Sequence, residues 1–162
     1  MKKILLSMTA VVITLSTFAN DESPLVVSAL HVKNIELGSN MKVTLINASS
    51  LKTGINTNPD EVFEKLNVAV SNGNMRLELR TKSKKNERVY IIVDDLRSLT
   101  IDENTFVDTQ DFLTAKKIKI IIADQSYVRL LTNATVNAYS MDGLSVDVQT
   151  KRFSSQKVNT PL

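Results

Sequence analysis

The polar and apolar positions alternate along most of the chain. His31 to Leu37 and Met41 to Leu45 alternate polar with apolar residues, most regularly over Ile35-Glu-Leu37 and Met41-Lys-Val43-Thr-Leu45, which predicts two strands with one buried face each. Gly38-Ser39-Asn40 lies between them and reads as a turn, since Gly and Asn accept positive φ. Val68-Ala-Val70 and Met75-Arg-Leu77-Glu-Leu79 alternate on either side of Asn72-Gly73. That dipeptide between apolar runs predicts a type I′ turn and an antiparallel hairpin. Val89 to Val93 is an unbroken β-branched and aromatic run, the pattern of a strand covered on both faces or central in a sheet. Leu25 to Val32 begins the fold, and Leu51 to Thr57 is a further short strand candidate.

From Arg88 to Gln149 the rhythm becomes a repeat. Leu99-Thr-Ile101 with Phe106-Val107 is followed by Ile118-Lys-Ile120 with Tyr127-Val128. Val136-Asn-Ala138 with Leu144-Ser-Val146 completes the series. Leu99, Ile118 and Val136 are spaced by 19 and 18 residues, and Val107 and Val128 by 21. A period near ~20 residues marks units that bury their apolar faces only by stacking on one another. The expected fold is all-β: a right-handed single-stranded parallel β-helix with an N-terminal β-hairpin portion and one short helix, in which Leu99, Ile118 and Val136 form a column. The helix starts at Asn58-Pro59-Asp60-Glu61, with Asn58 as cap and Pro59 in the first turn. Val62, Phe63 and Leu66 give it a small apolar face over two turns at most.

The N-terminus departs from this pattern. Lys2 and Lys3 precede an apolar run from Ile4 to Leu15, and Thr17-Phe18-Ala19 offers small residues where a signal peptidase reads. Residues 1–19 are therefore expected to be a cleaved secretory signal, 25–150 the β domain and 151–162 a polar tail. The apolar run is shorter than the ~20 residues of a membrane span, and the mature chain is expected to contain no transmembrane segment. Losing Lys2 and Lys3 lowers the formal charge from +3 to +1, so the basic balance does not indicate a nucleic-acid partner. The absence of cysteine excludes disulfides and thiolate metal sites.

The order of elements resembles the auto-transporter adhesin, head GIN domain family, found in Gram-negative bacteria. The Asn72-Gly73 hairpin, the strand Val89–Val93 and the segment Leu96-Arg-Ser-Leu99-Thr-Ile101 carry the resemblance. So do Ile118-Lys-Ile120 with Gln125-Ser126-Tyr127-Val128, and Val136-Asn-Ala138. It spans roughly Leu30 to Gln149. The resemblance implies a right-handed parallel β-helix and export to the cell envelope, in the periplasm, on the outer-membrane surface or secreted. It transfers no functional residues. Family members often carry Gly then Ser in the turns of the repeats. Here the turns are Asp102-Glu103-Asn104-Thr105, Asp124-Gln125-Ser126 and Ser140-Met141-Asp142-Gly143, and only the last keeps a Gly. Asn and Asp accept left-handed conformations, so the turns are expected to survive the change.

Candidate chemistry is sparse. His31 is the single histidine, and no Ser or Asp spacing supplies a catalytic triad around it. Asp94, Asp95, Asp102, Glu103, Asp108 and Asp111 form an acidic stretch. It reads first as solvated turn carboxylates, since neither an EF-hand nor a Gly-rich nonapeptide repeat is present. Two carboxylates facing each other in a groove, such as Asp108 and Asp111, would instead suit glycoside hydrolysis. With no Trp and three Tyr, the sugar-stacking surface for that reaction is thin. Arg80, Lys82, Lys84, Lys85 and Arg88 form one basic cluster, and Lys116, Lys117 and Lys119 another. They suit contact with anionic glycans or lipopolysaccharide phosphates, or the protection of exposed strand edges. Asn47-Ala-Ser49 and Asn133-Ala-Thr135 match glycosylation sequons by chance. No catalytic, metal or cofactor-binding residue is assigned. The expected function is a non-enzymatic envelope module that binds a glycan or an envelope protein. The alternatives are a polysaccharide-acting enzyme or a structural periplasmic factor that binds lipid or envelope polymers.

Overall fold

In a computed structural model, which describes residues 25–51, 59–80, 88–141 and 148–151, the alternating segments form two six-stranded sheets and one short helix. The strands are β1 (Leu25–Ala29), β2 (Asn34–Leu37), β3 (Lys42–Asn47), β4 (Leu66–Ser71), β5 (Asn74–Leu79) and β6 (Val89–Val93). They continue with β7 (Ser98–Ile101), β8 (Phe106–Thr109), β9 (Lys117–Ile122), β10 (Tyr127–Leu131), β11 (Thr135–Ser140) and β12 (Val148–Lys151). The helix α1 is Pro59–Lys65. The expected signal segment, all but Leu51 of the strand expected over Leu51 to Thr57, the cap Asn58, the loop 81–87, Leu144 and Val146 lie outside the described residues. The same holds for the tail from 152 onward, while Lys151 itself ends β12.

Apart from the hairpin at β4–β5, every named strand pairing is parallel. The first sheet runs β1-β6-β3-β8-β10-β12 and the second β11-β9-β7-β2-β5-β4. Successive strands alternate between the sheets, except that β4 and β5 share one. The order also shows something that a walk along the sequence does not suggest. β3 is inserted between β6 and β8, and β2 between β5 and β7. β2 and β3 are thus slotted between strands that arrive 40 to 64 residues later, as in the pairing of Val43 with both Val89 and Val107. Beyond β8 each sheet adds its strands in chain order. The local ~20-residue rhythm is legible only there.

One apolar cluster is shared by the two sheets. Val43, Leu45, Ile91, Val107 and Val128 come from the first, and Ile35, Leu77, Leu99, Ile120 and Ile118 from the second. On the second sheet they alternate with more exposed neighbours at the two-residue period of the strand, whereas β3 and β6 are buried on both faces. The column expected through Leu99, Ile118 and Val136 is corrected by the register. Leu99 stands opposite Ile120, and Ile120 opposite Ala138, while Ile118 pairs with Val136. The first step is 21 residues instead of 19. A slip of two residues keeps every side chain on its own face, so hydrophobic alternation cannot detect it. Val107 and Val128 are in register as the sequence suggested.

β6 is buried along its whole length, as its composition predicted. Val89, Ile91 and Val93 join the shared core, whereas Tyr90 and Ile92 pack on the opposite face with Val26 and Ile46. Ala48 and Leu51, at a 3-10 turn after β3, pack against this second cluster.

The Asn72-Gly73 turn has φ of 51° and 75° at its two residues, and β4 and β5 pair antiparallel from Ser71–Asn74 to Leu66–Leu79. The helix packs on β1 and β4, each an outermost strand of its sheet. Val62 is buried there, but Phe63 is exposed, and Leu66 belongs to β4 rather than to the helix.

The turns that lead from the second sheet to the first share one construction. Asn40, Asn104 and Gln125 each take positive φ, at 61°, 54° and 57°. The first two fit the tolerance of Asn for left-handed backbone; Gln125 shows that a longer amide side chain is also accommodated. The next residue in two of the three turns carries a hydroxyl that reaches a neighbouring turn. Thr105 Oγ1 donates to the Gly38 carbonyl at 2.8 Å and accepts from the Met41 amide at 3.1 Å. Ser126 Oγ donates to the Asp102 carbonyl at 2.6 Å and accepts from the Thr105 amide at 3.0 Å. These hydroxyls satisfy backbone groups that the corner takes out of the ladder. Thr105 is 1% exposed. Thr105→Val, which keeps the shape and removes the hydroxyl, is therefore expected to lower the unfolding free energy by about 1–3 kcal/mol in urea titration. Ser126→Ala, at a more exposed turn, is expected to cost less.

Candidate binding face

The first sheet carries a second face, turned away from the shared core. Across β1, β6, β3, β8 and β10, Val26, Tyr90, Thr44, Asp108 and Arg129 stand opposite one another. A neighbouring row brings Lys42, Phe106 and Tyr127 together on β3, β8 and β10. The face is apolar over β1, β6 and β3, where Val26, Ile46, Tyr90 and Ile92 are buried, and becomes polar and aromatic at β8 and β10.

Asp108 is the centre of the polar part. It is 8% exposed and both of its carboxylate oxygens are engaged. Thr44 Oγ1 donates to Oδ1 at 2.6 Å, and Arg88 Nη1 donates to Oδ2 at 2.8 Å. The same Arg88 nitrogen donates to Thr44 Oγ1 at 2.7 Å, closing a three-residue ring. Arg129 Nη2 lies 3.8 Å from that same Oδ2, too far for a hydrogen bond. The pairing explains how a nearly buried carboxylate is tolerated, because its charge is met by a guanidinium and each of its oxygens accepts a hydrogen bond.

Beside this ring the aromatic groups form a short stack. Phe106 and Tyr127 are parallel, with centroids 5.4 Å apart and planes 8° from each other. The Arg88 guanidinium lies 5.9 Å from the Phe106 centroid, within cation–π reach. Burial pushes the Tyr90 phenol above its usual range; the nearby Arg88 charge opposes this and Asp108 reinforces it. The stability this confers is complete below about pH 10, the ordinary phenol range, and is lost as the pH rises through the folded value.

The clusters read from the sequence are redistributed. The acidic stretch does not assemble. Asp94 accepts the His31 amide and faces Nδ1 of that histidine at 3.3 Å, while Asp95 pairs with Arg97. Asp108 is taken by the sheet face. Among the described residues no three His, Asp or Glu side chains converge as metal ligands. The basic cluster divides too. Lys82, Lys84 and Lys85 lie outside the described residues, and Arg88 leaves the group to join Asp108. On the other sheet Lys119 lies over the Tyr139 ring at 5.6 Å. Asn47, in the first sequon, is buried and holds the Phe112 carbonyl through Nδ2. Sequence reasoning missed the union of Arg88, Thr44, Asp108 and Arg129. The available signal was parity, since all four fall at positions alternating with buried Val residues of β6, β3, β8 and β10.

A family model described as "Putative auto-transporter adhesin, head GIN domain" matches residues 31–158. The chain belongs to this family. The match includes every described strand from β2 onward, and with them the Asp108 ring and the aromatic pair of this head GIN domain. Neither the comparison with curated proteins nor that with solved structures found a match. Among the described residues of the head GIN domain, no helix is long and apolar enough to cross a membrane.

Proposed function

We propose that this head GIN domain is an exported, non-enzymatic module of the bacterial cell envelope that binds a glycan or an envelope protein through the outer face of its first sheet. The observation that carries the reading is the juxtaposition of the Phe106–Tyr127 pair with Arg88 and Arg129 on a single sheet face. Aromatic and arginine side chains are the types enriched where proteins recognise partners. The strands that support the face are parallel and alternate between two sheets. A right-handed β-helical winding accords with the handedness of parallel crossovers. Such a scaffold holds surface side chains at fixed spacing. Export accords with the family description and with the Lys2-Lys3 and Ile4–Leu15 pattern of the N-terminus.

The enzymatic alternative needs two carboxylates free to act, and Asp108 is already neutralised by Arg88 and hydrogen-bonded to Thr44. A lipid-binding role lacks an observation of its own on this face.

The test is a glycan array and an envelope-protein pull-down carried out with the wild type and Tyr127→Ala. Binding that Tyr127→Ala reduces supports the reading. Retention of all binding by that variant, or hydrolysis of a bound glycan by the wild type, would overturn it.

A further inference from the structure

The charges on the first sheet do not balance, and the imbalance identifies a ligand class. Two guanidiniums, Arg88 and Arg129, converge on one oxygen of one carboxylate. Arg88 satisfies Asp108 at hydrogen-bond distance, and Thr44 occupies the other oxygen. Arg129, whose side chain is 58% exposed, is left 3.8 Å away with its charge only partly met. The three ionised groups sum to one positive charge. Tyr127 lies two residues before Arg129 on the same strand, so both project from the same face about 7 Å apart. Phe106 flanks Tyr127 in a parallel stack.

Resting on the binding role argued above, we propose that this face takes an acidic polysaccharide, with a uronate ring against the Phe106–Tyr127 pair and its carboxylate on Arg129. A pyranose has apolar C–H faces that suit an aromatic surface. A uronate carries its carboxylate directly on the ring, which matches an arginine one side-chain repeat further along the strand. A planar guanidinium pairs with a carboxylate through two parallel hydrogen bonds. A protein ligand would offer carboxylates without the ring, and a neutral glycan the ring without the charge.

The proposal is tested by affinity electrophoresis in polygalacturonate, with its neutral methyl ester and dextran sulfate as comparisons. The proteins are wild type, Arg129→Gln, Tyr127→Ala and Arg97→Gln. Arg97 is equally exposed but pairs with Asp95 on a corner away from this face, so its replacement controls for net charge. Retardation of the wild type by polygalacturonate is expected, with binding weakened about tenfold or more in Arg129→Gln and in Tyr127→Ala and unchanged in Arg97→Gln. Arg129→Gln leaves Asp108 paired with Arg88, so it is expected to fold and carries the test even if Tyr127→Ala does not. No retardation by polygalacturonate overturns the proposal. So does equal retardation by the methyl ester, equal loss in Arg97→Gln, or dextran sulfate binding that ignores Tyr127. If the array or the pull-down shows a neutral glycan or a protein lost in Tyr127→Ala, the binding role stands and the acidic-sugar assignment alone falls.

Discussion

Leu99→Ala is expected to destabilise the protein by about 3–4 kcal/mol in urea or thermal unfolding, the largest effect of any single truncation considered. Leu99 is fully buried, and its row on the second sheet runs through Met75, Ile35, Leu99, Ile120 and Ala138. Flanking side chains held by ladder hydrogen bonds cannot collapse far into the space left behind, so the cavity term adds to the lost transfer energy. The same substitution tests the register. Combined with Ile120→Ala, it should be non-additive by on the order of 0.5–1 kcal/mol or more, because the two side chains are direct neighbours across β7 and β9. Combined with Ile118→Ala, it should be closer to additive, because Ile118 lies two residues earlier on its strand. Stronger coupling to Ile118 than to Ile120 would restore the 19-residue step that the sequence spacing suggests.

Asp108→Ala is expected to cost about 2–3 kcal/mol. The change strips Thr44 of its acceptor, leaves Arg88 and Arg129 facing each other and removes a carboxylate whose side chain is only 11% exposed. The loss stays below that of a fully enclosed pair because Arg88 retains about a third of its exposure and can turn to water. A double-mutant cycle with Arg88→Ala should recover a coupling of roughly 1–2 kcal/mol, whereas the Arg129–Asp108 cycle, at 3.8 Å and more exposed, should give less than about 1 kcal/mol. Denaturant midpoints for the two cycles separate the closed ring from the loosely held guanidinium. Equal couplings would mean that Arg129 is as well satisfied as Arg88.

Local signals in the sequence were reliable where a local cause acts. Asn72-Gly73 specifies a turn by its own backbone freedom, and the hairpin forms there. Pro59 marks the helix, and the β-branched run of β6 marks a strand enclosed on both sides. What was not legible depends on partners distant in the chain. Nothing in residues 42–47 says that their neighbours are 89–93 and 106–109, since Val43 fits any apolar groove of the right pleat. The two-residue slip at β7–β9 is invisible for the reason given above. The site was hidden in the same way. Asp108 was grouped with carboxylates close in sequence, and Arg88 with cations close in sequence, while the sheet pairs one with the other. Thr44, a further sixty-four residues from Asp108, carries no charge to draw attention.

The slotting of β2 and β3 between later strands has a mechanical consequence. A molecule pulled from the β12 end can shed β12 and then β11, because each is bound by a single neighbouring strand among the described residues. Peeling that starts at this end proceeds strand by strand through β8 and β7 until it reaches β6. β6 is gripped on one side by β1 and on the other by β3, both of which belong to the opposite end of the polypeptide. Tension carried along the backbone then loads several ladders together instead of one, and a force-extension trace should show a soft series of small steps followed by a single abrupt rupture.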